Sequence, residues 1–287
     1  MSNARLRCLL VAAALASVAA CHRAPSSKAK KLGRHAAARA AHAPRPPRPP
    51  QAADGSYTVD GLRYLELVTG GARSEDPLPM VVAMHGHGQS PVHFVHHFEQ
   101  DTARARYIVP FGPTALNDGG YEWFPRVATT PARELAAIVP GVAHNVASAI
   151  QQILRVRPTV GKPVVVGFSQ GAVMSYALAF FHGNMFSVAC SMSGELPWPI
   201  FRASSAAPGP RPEVHGFHGD EDDVVKLKDD QHTIAELKRD GFAADLKVFA
   251  GVSHRLEPAL ADVLRCVDRG VAEQAGAAPD ATPARSR

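Results

Sequence analysis

Residues 163–181, PVVVGFSQGAVMSYALAFF, carry an apolar β-branched run straight into a helical one through Gly-Phe-Ser-Gln-Gly. A continuous apolar strand suits a sheet covered on both faces, and a strand passing at once into a helix makes a βα unit. Side chains at Gly167 and Gly171 would collide where the helix folds back on the strand. A GxSxG turn in this setting strains the serine backbone, exposes its hydroxyl and points a helix N-terminus at any anion formed beside it. Ser169 is therefore a candidate nucleophile, provided the rest of the chain supplies a base.

The pattern recurs. Leu62–Val68, Met80–His85, Tyr107–Pro110, Met185–Ser191, Val214–His218 and Ala244–Phe249 read as further strands. Helical spacing occupies Val92–Thr102, Leu135–Arg157, Val225–Asp240 and Pro258–Cys266, with Pro140-Gly141 expected to break or start the second of these. Strands alternating with helices predict an α/β domain with a mainly parallel sheet and helices on both faces. In such sheets chemistry gathers at the carboxyl ends of strands.

Three of those ends carry reactive groups besides Ser169. His218-Gly-Asp-Glu-Asp-Asp-Val-Val offers Asp220, Asp222 and Asp223 as candidate acids, and Gly-Val-Ser-His254 precedes the final helix. The order serine, acid, histidine is that of an α/β-hydrolase fold. A serine hydroxyl needs a neutral imidazole to take its proton, and the acid fixes that imidazole's tautomer. The loop His85-Gly-His-Gly-Gln-Ser supplies the missing part, backbone donors for an oxyanion. The expected pair is the amides of His87 and Gln170. A metal reading of His85, His87, His93, His96 and His97 fails on the ligand rules, because Gln89 and Ser90 stand where an aspartate and a histidine are needed. No metal and no cofactor are expected.

The ends of the chain differ in kind from the middle. Residues 1–21 have Arg5 and Arg7, an apolar run and then Val-Ala-Ala-Cys21, a signal-peptide layout whose end resembles a bacterial lipobox. Residues 22–55 are a basic, Pro/Ala-rich linker with PRPPRPP at 44–50, and 271–287 reads as a disordered tail. The expected domain is 56–270. Ten of the 31 lysines and arginines precede Asp54, so the remainder carries 21 basic against 26 acidic residues and the whole-chain charge of +5 is no sign of nucleic-acid binding. The expectation is an exported lipoprotein anchored through Cys21 to a membrane, facing the periplasm or cell surface. Cys190 and Cys266 make no disulfide framework by count.

Taken together, GFSQG, HGHG, His218-Gly219-Asp220-Glu221-Asp222 and Gly-Val-Ser-His254 resemble the phospholipase/carboxylesterase family of α/β-hydrolases, which includes acyl-protein thioesterases. Trp123-Phe124 and Ser193-Gly194 fit the same resemblance. It implies Ser169 as nucleophile, Asp222 as the acid, His254 as the base, and the His87 and Gln170 amides as oxyanion donors. Pro125 departs from the aspartate the family usually has after Trp-Phe, and Asp223-Val-Val-Lys226 from its Pro-x-Val-Pro. The expected activity is hydrolysis of small or medium esters or thioesters, with Trp123, Phe124, Leu196 and Trp198 as candidate pocket residues. A peptidase or amidase, a polyester or feruloyl-type esterase, and an inactive binding protein on the same scaffold are the alternatives.

Overall fold

The computed structural model describes residues 47–126 and 129–276. The proposed leader with Cys21 and most of the basic linker lie outside these residues. In chain order the strands are β1 (Tyr57–Val59), β2 (Leu62–Val68), β3 (Met80–Met84), β4 (Arg106–Pro110), β5 (Thr114–Ala115), β6 (Tyr121–Glu122), β7 (Val164–Phe168), β8 (Val188–Met192), β9 (Glu213–Gly219) and β10 (Ala244–Phe249). The helices are α1 (Pro91–Phe94), α2 (Ala132–Val156), α3 (Gln170–His182), α4 (Pro199–Ala203), α5 (Leu227–Arg239) and α6 (Leu260–Gly276).

Eight strands form one sheet in the order β1-β2-β4-β3-β7-β8-β9-β10, and β5 pairs with β6 as a separate small hairpin. β2 runs antiparallel to both its neighbours, whereas β4, β3, β7, β8, β9 and β10 are mutually parallel. This is the α/β-hydrolase arrangement. Every residue of β3, β4, β7 and β8 is buried, because helices cover both faces. Alternate residues divide between two cores, since successive strand side chains point to opposite faces. Val82, Val165 and Ala189 join α2 and α3 on one face; Val81, Val166 and Cys190 join Phe94, Phe98 and α6 on the other.

Several expectations are corrected. α2 runs unbroken through Pro140, because Leu135, Val139, Ala143, Val146 and Ile150 make one buried stripe spanning it, and that packing outweighs the lost hydrogen bond. The helix expected over 92–102 is α1 followed by a single tight turn to Phe98, after which the Asp101 carboxylate accepts from the Ala103 amide and redirects the chain. α6 continues to Gly276, with Val271 buried, so the frayed tail does not begin at 271. At the other end residues 47–55 are largely exposed but touch the domain through single side chains: Arg48 lies 3.4 Å from Glu66 and over the Tyr57 ring, and Asp54 pairs with Arg63. β1, absent from the sequence reading, is held by a two-residue turn at Asp60-Gly61, both with positive φ.

Cys190 in β8 and Cys266 in α6 form a disulfide, with Cα atoms 6.3 Å apart. It pins the last helix to the sheet, directly after the loop that carries His254.

Candidate active site

Because β3, β7, β8, β9 and β10 are parallel neighbours, their carboxyl ends lie along one edge of the sheet. Ser169 sits between β7 and α3 with φ 55° and ψ −119°. A non-glycine residue there costs about 1–3 kcal/mol and persists only when its surroundings enforce it. Here they do: the Ser169 amide donates to the Met192 carbonyl at 2.9 Å, and its own carbonyl accepts from Ala172 and Val173. The glycines flanking it are required by contact. A Cβ on Gly167 would lie 2.0 Å from the Gly171 carbonyl oxygen, and one on Gly171 would lie 2.0 Å from that of Met84.

The Ser169 hydroxyl lies 2.9 Å from His254 Nε2, and His254 Nδ1 lies 2.7 Å from Asp222 Oδ2. Of the three acids open in the sequence, the structure therefore joins Asp222 to the histidine. Asp220 instead accepts from the Gly251 amide at 2.7 Å, and Asp223 is exposed. Asp222 Oδ1 accepts from the amides of Val224 at 3.0 Å and Val225 at 2.9 Å. Burial pushes the Asp222 carboxyl up, but the hydrogen bonds from His254 and these amides outweigh it, and it sits below the usual carboxylate range. A carboxylate acceptor at Nδ1 leaves Nε2 bare toward the hydroxyl.

His87 and Gln170 both line the cavity at Ser169, and neither backbone amide has an acceptor among the described residues. Gln170 is the first residue of α3, so its N–H has no intrahelical partner. In the loop after β3 the Gly88 amide donates to the Tyr121 carbonyl and the Gln89 amide to that of Gly86, which leaves the His87 amide uncommitted among the described residues. The Gln170 side chain clamps the opposite wall, accepting from the Trp123 amide at 3.0 Å and donating to the Phe124 carbonyl at 2.6 Å.

His85 is the residue whose role the sequence did not reveal. It is 0 % exposed, its Nδ1 donates to the Gly86 carbonyl at 2.7 Å, and its Nε2 accepts from the Gly112 amide at 3.1 Å. Those partners fix a neutral tautomer, and burial pulls its pKa down to about 4. Trp123 Nε1 donates to the His85 carbonyl at 2.9 Å. His85 thus braces the loop after β3, and both its nitrogens are committed to backbone groups. His93 and His96 are exposed, and His97 packs against Phe94. No three His, Cys, Asp or Glu side chains are arranged to hold a metal among the described residues. His218, the first residue of the acid loop's motif, is also buried. It bonds the Asp230 carboxylate at 2.8 Å and the Val225 carbonyl at 2.9 Å, behind the loop that carries Asp222.

The hydroxyl opens into a cavity of about 230 Å³ lined by Ser169, His254, His87, Gln170 and Arg126, with Val173, Val224 and Val225 completing the wall. None of the four candidate pocket residues lines it. Trp123 and Phe124 are buried; both meet the Gln170 side chain through backbone groups, and the Trp123 indole is turned to the His85 carbonyl. Leu196 and Trp198 line a different cavity with Glu195 and Arg202, and Trp198 is 51 % exposed. Their apolar character marks burial without saying against what. Arg126 was missed; the departure at Pro125-Arg126 from the resembled pattern was the signal available.

Comparisons with known proteins bear on the family and the fold. The model of the phospholipase/carboxylesterase family matches residues 71–265. No functionally curated protein matches the sequence. Among solved structures, esterase PE8 superposes with a TM-score of 0.62 at 20 % identity, covering 74 % of this chain and 99 % of that one. A Bacillus cereus carboxylesterase gives 0.58 at 15 % identity, covering 72 % and 94 %. Zea mays acyl-protein thioesterase 2 gives 0.55 at 23 % identity, covering 73 % and 99 %. At these identities the likeness is one of fold.

Proposed function

We propose, from the premise that this chain belongs to the phospholipase/carboxylesterase family and is a carboxylesterase-type hydrolase, that it cleaves esters or thioesters as a serine hydrolase through an acyl-enzyme. The observation that carries this reading is the continuous pair of contacts, 2.9 Å from Ser169 Oγ to His254 Nε2 and 2.7 Å from His254 Nδ1 to Asp222. Ser169 Oγ attacks the carbonyl carbon while Nε2 takes its proton. The resulting oxyanion is met by the amides of His87 and Gln170, fixed donors worth far more in this partly buried site than in water. The imidazolium, stabilised by Asp222, then gives its proton to the departing alcohol or thiol. Water enters, loses a proton to Nε2, attacks the acyl carbon and releases the acid with Ser169 restored.

A cavity of about 230 Å³ is small against the roughly 300–1,000 Å³ common for ligand sites, which favours short or medium acyl groups. The leader pattern in residues 1–21 supports export and anchoring through an acylated Cys21. The Cys190–Cys266 disulfide supports an oxidising compartment. Mass measurement of the membrane-extracted protein tests the anchor: a diacylglyceryl-modified Cys21 as the first residue is expected, and any other unmodified N-terminus refutes it.

Labelling of the full chain with a fluorophosphonate tests the catalytic reading. Stoichiometric labelling that disappears in Ser169→Ala is expected. A folded wild-type protein that takes no label would mean the serine is not activated, and the inactive binding scaffold would then be the better account.

A further inference from the structure

Arg126 is the only permanently charged side chain lining the Ser169 cavity among the described residues. Its side chain is largely exposed at the edge of the cavity, and the backbone that carries it is held on both sides. Two residues before it, the Phe124 carbonyl is held by the Gln170 side chain at 2.6 Å; its own carbonyl accepts from the amides of Thr129 at 3.2 Å and Thr130 at 3.0 Å. Three acids of the neighbouring loops are committed elsewhere, while Glu221 and Asp223 are exposed to solvent. Glu122 lies 3.3 Å from His87 Nε2, Asp222 is occupied by His254 and two amides, and Asp220 by Gly251. Among the described residues the Arg126 guanidinium has no carboxylate in ion-pair range.

An unpaired guanidinium in this place is a cost for a neutral substrate. His254 becomes an imidazolium as the hydroxyl proton moves, and a second cation facing the same small cavity raises the energy of that charge. The cost turns into a gain if the substrate brings an anion, because a guanidinium binds a carboxylate or phosphate through two parallel hydrogen bonds. Val173, Val224 and Val225 offer apolar contact for the carbon chain between the anion and the reacting carbonyl.

We propose that Arg126 is a specificity residue, and that the ester hydrolysed here carries a carboxylate or other anionic group a few bonds from its scissile carbonyl. This rests on Ser169 being the nucleophile. The anion belongs to the acyl or to the alcohol portion, and matched ester pairs separate the two. Mono-4-nitrophenyl adipate against its methyl ester places the charge on the acyl side; 4-acetoxybenzoate against methyl 4-acetoxybenzoate places it on the leaving side.

For each pair the readout is the ratio of kcat/KM, charged over neutral, in full-length wild type, Arg126→Gln, Arg126→Lys and Arg126→Glu. In one pair the ratio should fall about tenfold in Arg126→Gln, equivalent to about 1.4 kcal/mol, further in Arg126→Glu, and be partly kept in Arg126→Lys. A ratio within about twofold of wild type for every variant in both pairs overturns the proposal. So does an equal loss on charged and neutral esters, which would make Arg126 an aid to the oxyanion or to folding. Fluorophosphonate labelling separates the two levels of failure: a labelled protein with unmoved ratios refutes the anionic substrate alone, whereas an unlabelled wild type that cleaves no ester removes the nucleophile reading and this proposal with it.

Discussion

Replacing Asp222 with asparagine changes one atom and should abolish nearly all turnover. Oδ1 of Asp222 accepts two backbone amides, at 3.0 and 2.9 Å, while Oδ2 accepts from His254 Nδ1 at 2.7 Å. An asparagine must keep its oxygen on the amides, because turning its NH2 toward them would leave the buried Val225 donor unmet, at about 1–3 kcal/mol, and the partly buried Val224 donor with it. Its NH2 then faces Nδ1, which must accept, and the imidazole proton moves to Nε2, 2.9 Å from the Ser169 hydroxyl. In that tautomer the histidine cannot take the serine proton. The geometry survives and the base is lost, so a fall of about ten-thousand-fold in kcat/KM is expected, about 5.4 kcal/mol. Activity on a short activated ester, measured beside Asp220→Asn and Asp223→Asn and with melting curves for all three, checks it. Those two variants should stay within about tenfold of wild type, since neither carboxylate reaches His254. A nearly active Asp222→Asn beside an inactive Asp220 or Asp223 variant would refute the assignment.

Two further effects follow from the framework. The Cys190–Cys266 bridge spans 76 residues, and closing a loop of that length removes about 4.5 kcal/mol of unfolded-state entropy. Urea unfolding of the Cys190→Ala/Cys266→Ala variant should show most of that loss, with a melting point about 10 °C lower; a loss below about 1 kcal/mol would count against the bridge. His85, neutral in the fold with a pKa of about 4 against an ordinary 6.5, binds a proton more readily when unfolded. Stability is therefore full at neutral pH, starts to fall as pH drops through the unfolded value and keeps falling until about pH 4. Its share between pH 7 and 5 is about 2 kcal/mol, and His85→Gln should remove that slope in paired urea titrations; an unchanged slope would show that the proton is taken elsewhere.

The sequence by itself determined the sheet and the order of chemistry along its edge. An apolar five-residue strand, a GxSxG turn and the succession Ser169, acid loop, His254 are local patterns, legible because strand and helix periodicities act over a few residues. The collision expected at Gly167 is of the same kind, being set by a turn within one βα unit, whereas Gly171 is required by the Met84 carbonyl of the neighbouring β3.

What the sequence left open depended on which surfaces meet. Asp220, Asp222 and Asp223 differ by a residue or two; spacing alone did not separate them, the resemblance pointed to Asp222, and the contact between the loops after β9 and β10 brings that carboxylate to His254. Pro140 looks like a helix break until the buried stripe on both sides of it is packed against the sheet. Trp123 and Leu196 announce burial by composition, yet burial at the Ser169 cavity and burial elsewhere look alike in a sequence. Arg126 is exposed, and the sequence does not say that Gln170, by clamping the Phe124 carbonyl, holds its segment at the edge of the Ser169 cavity. Cys190 and Cys266 become a pair only because α6 lies on β8. Each of these is a contact between segments tens of residues apart, fixed by packing of the whole domain, and no local pattern encodes it.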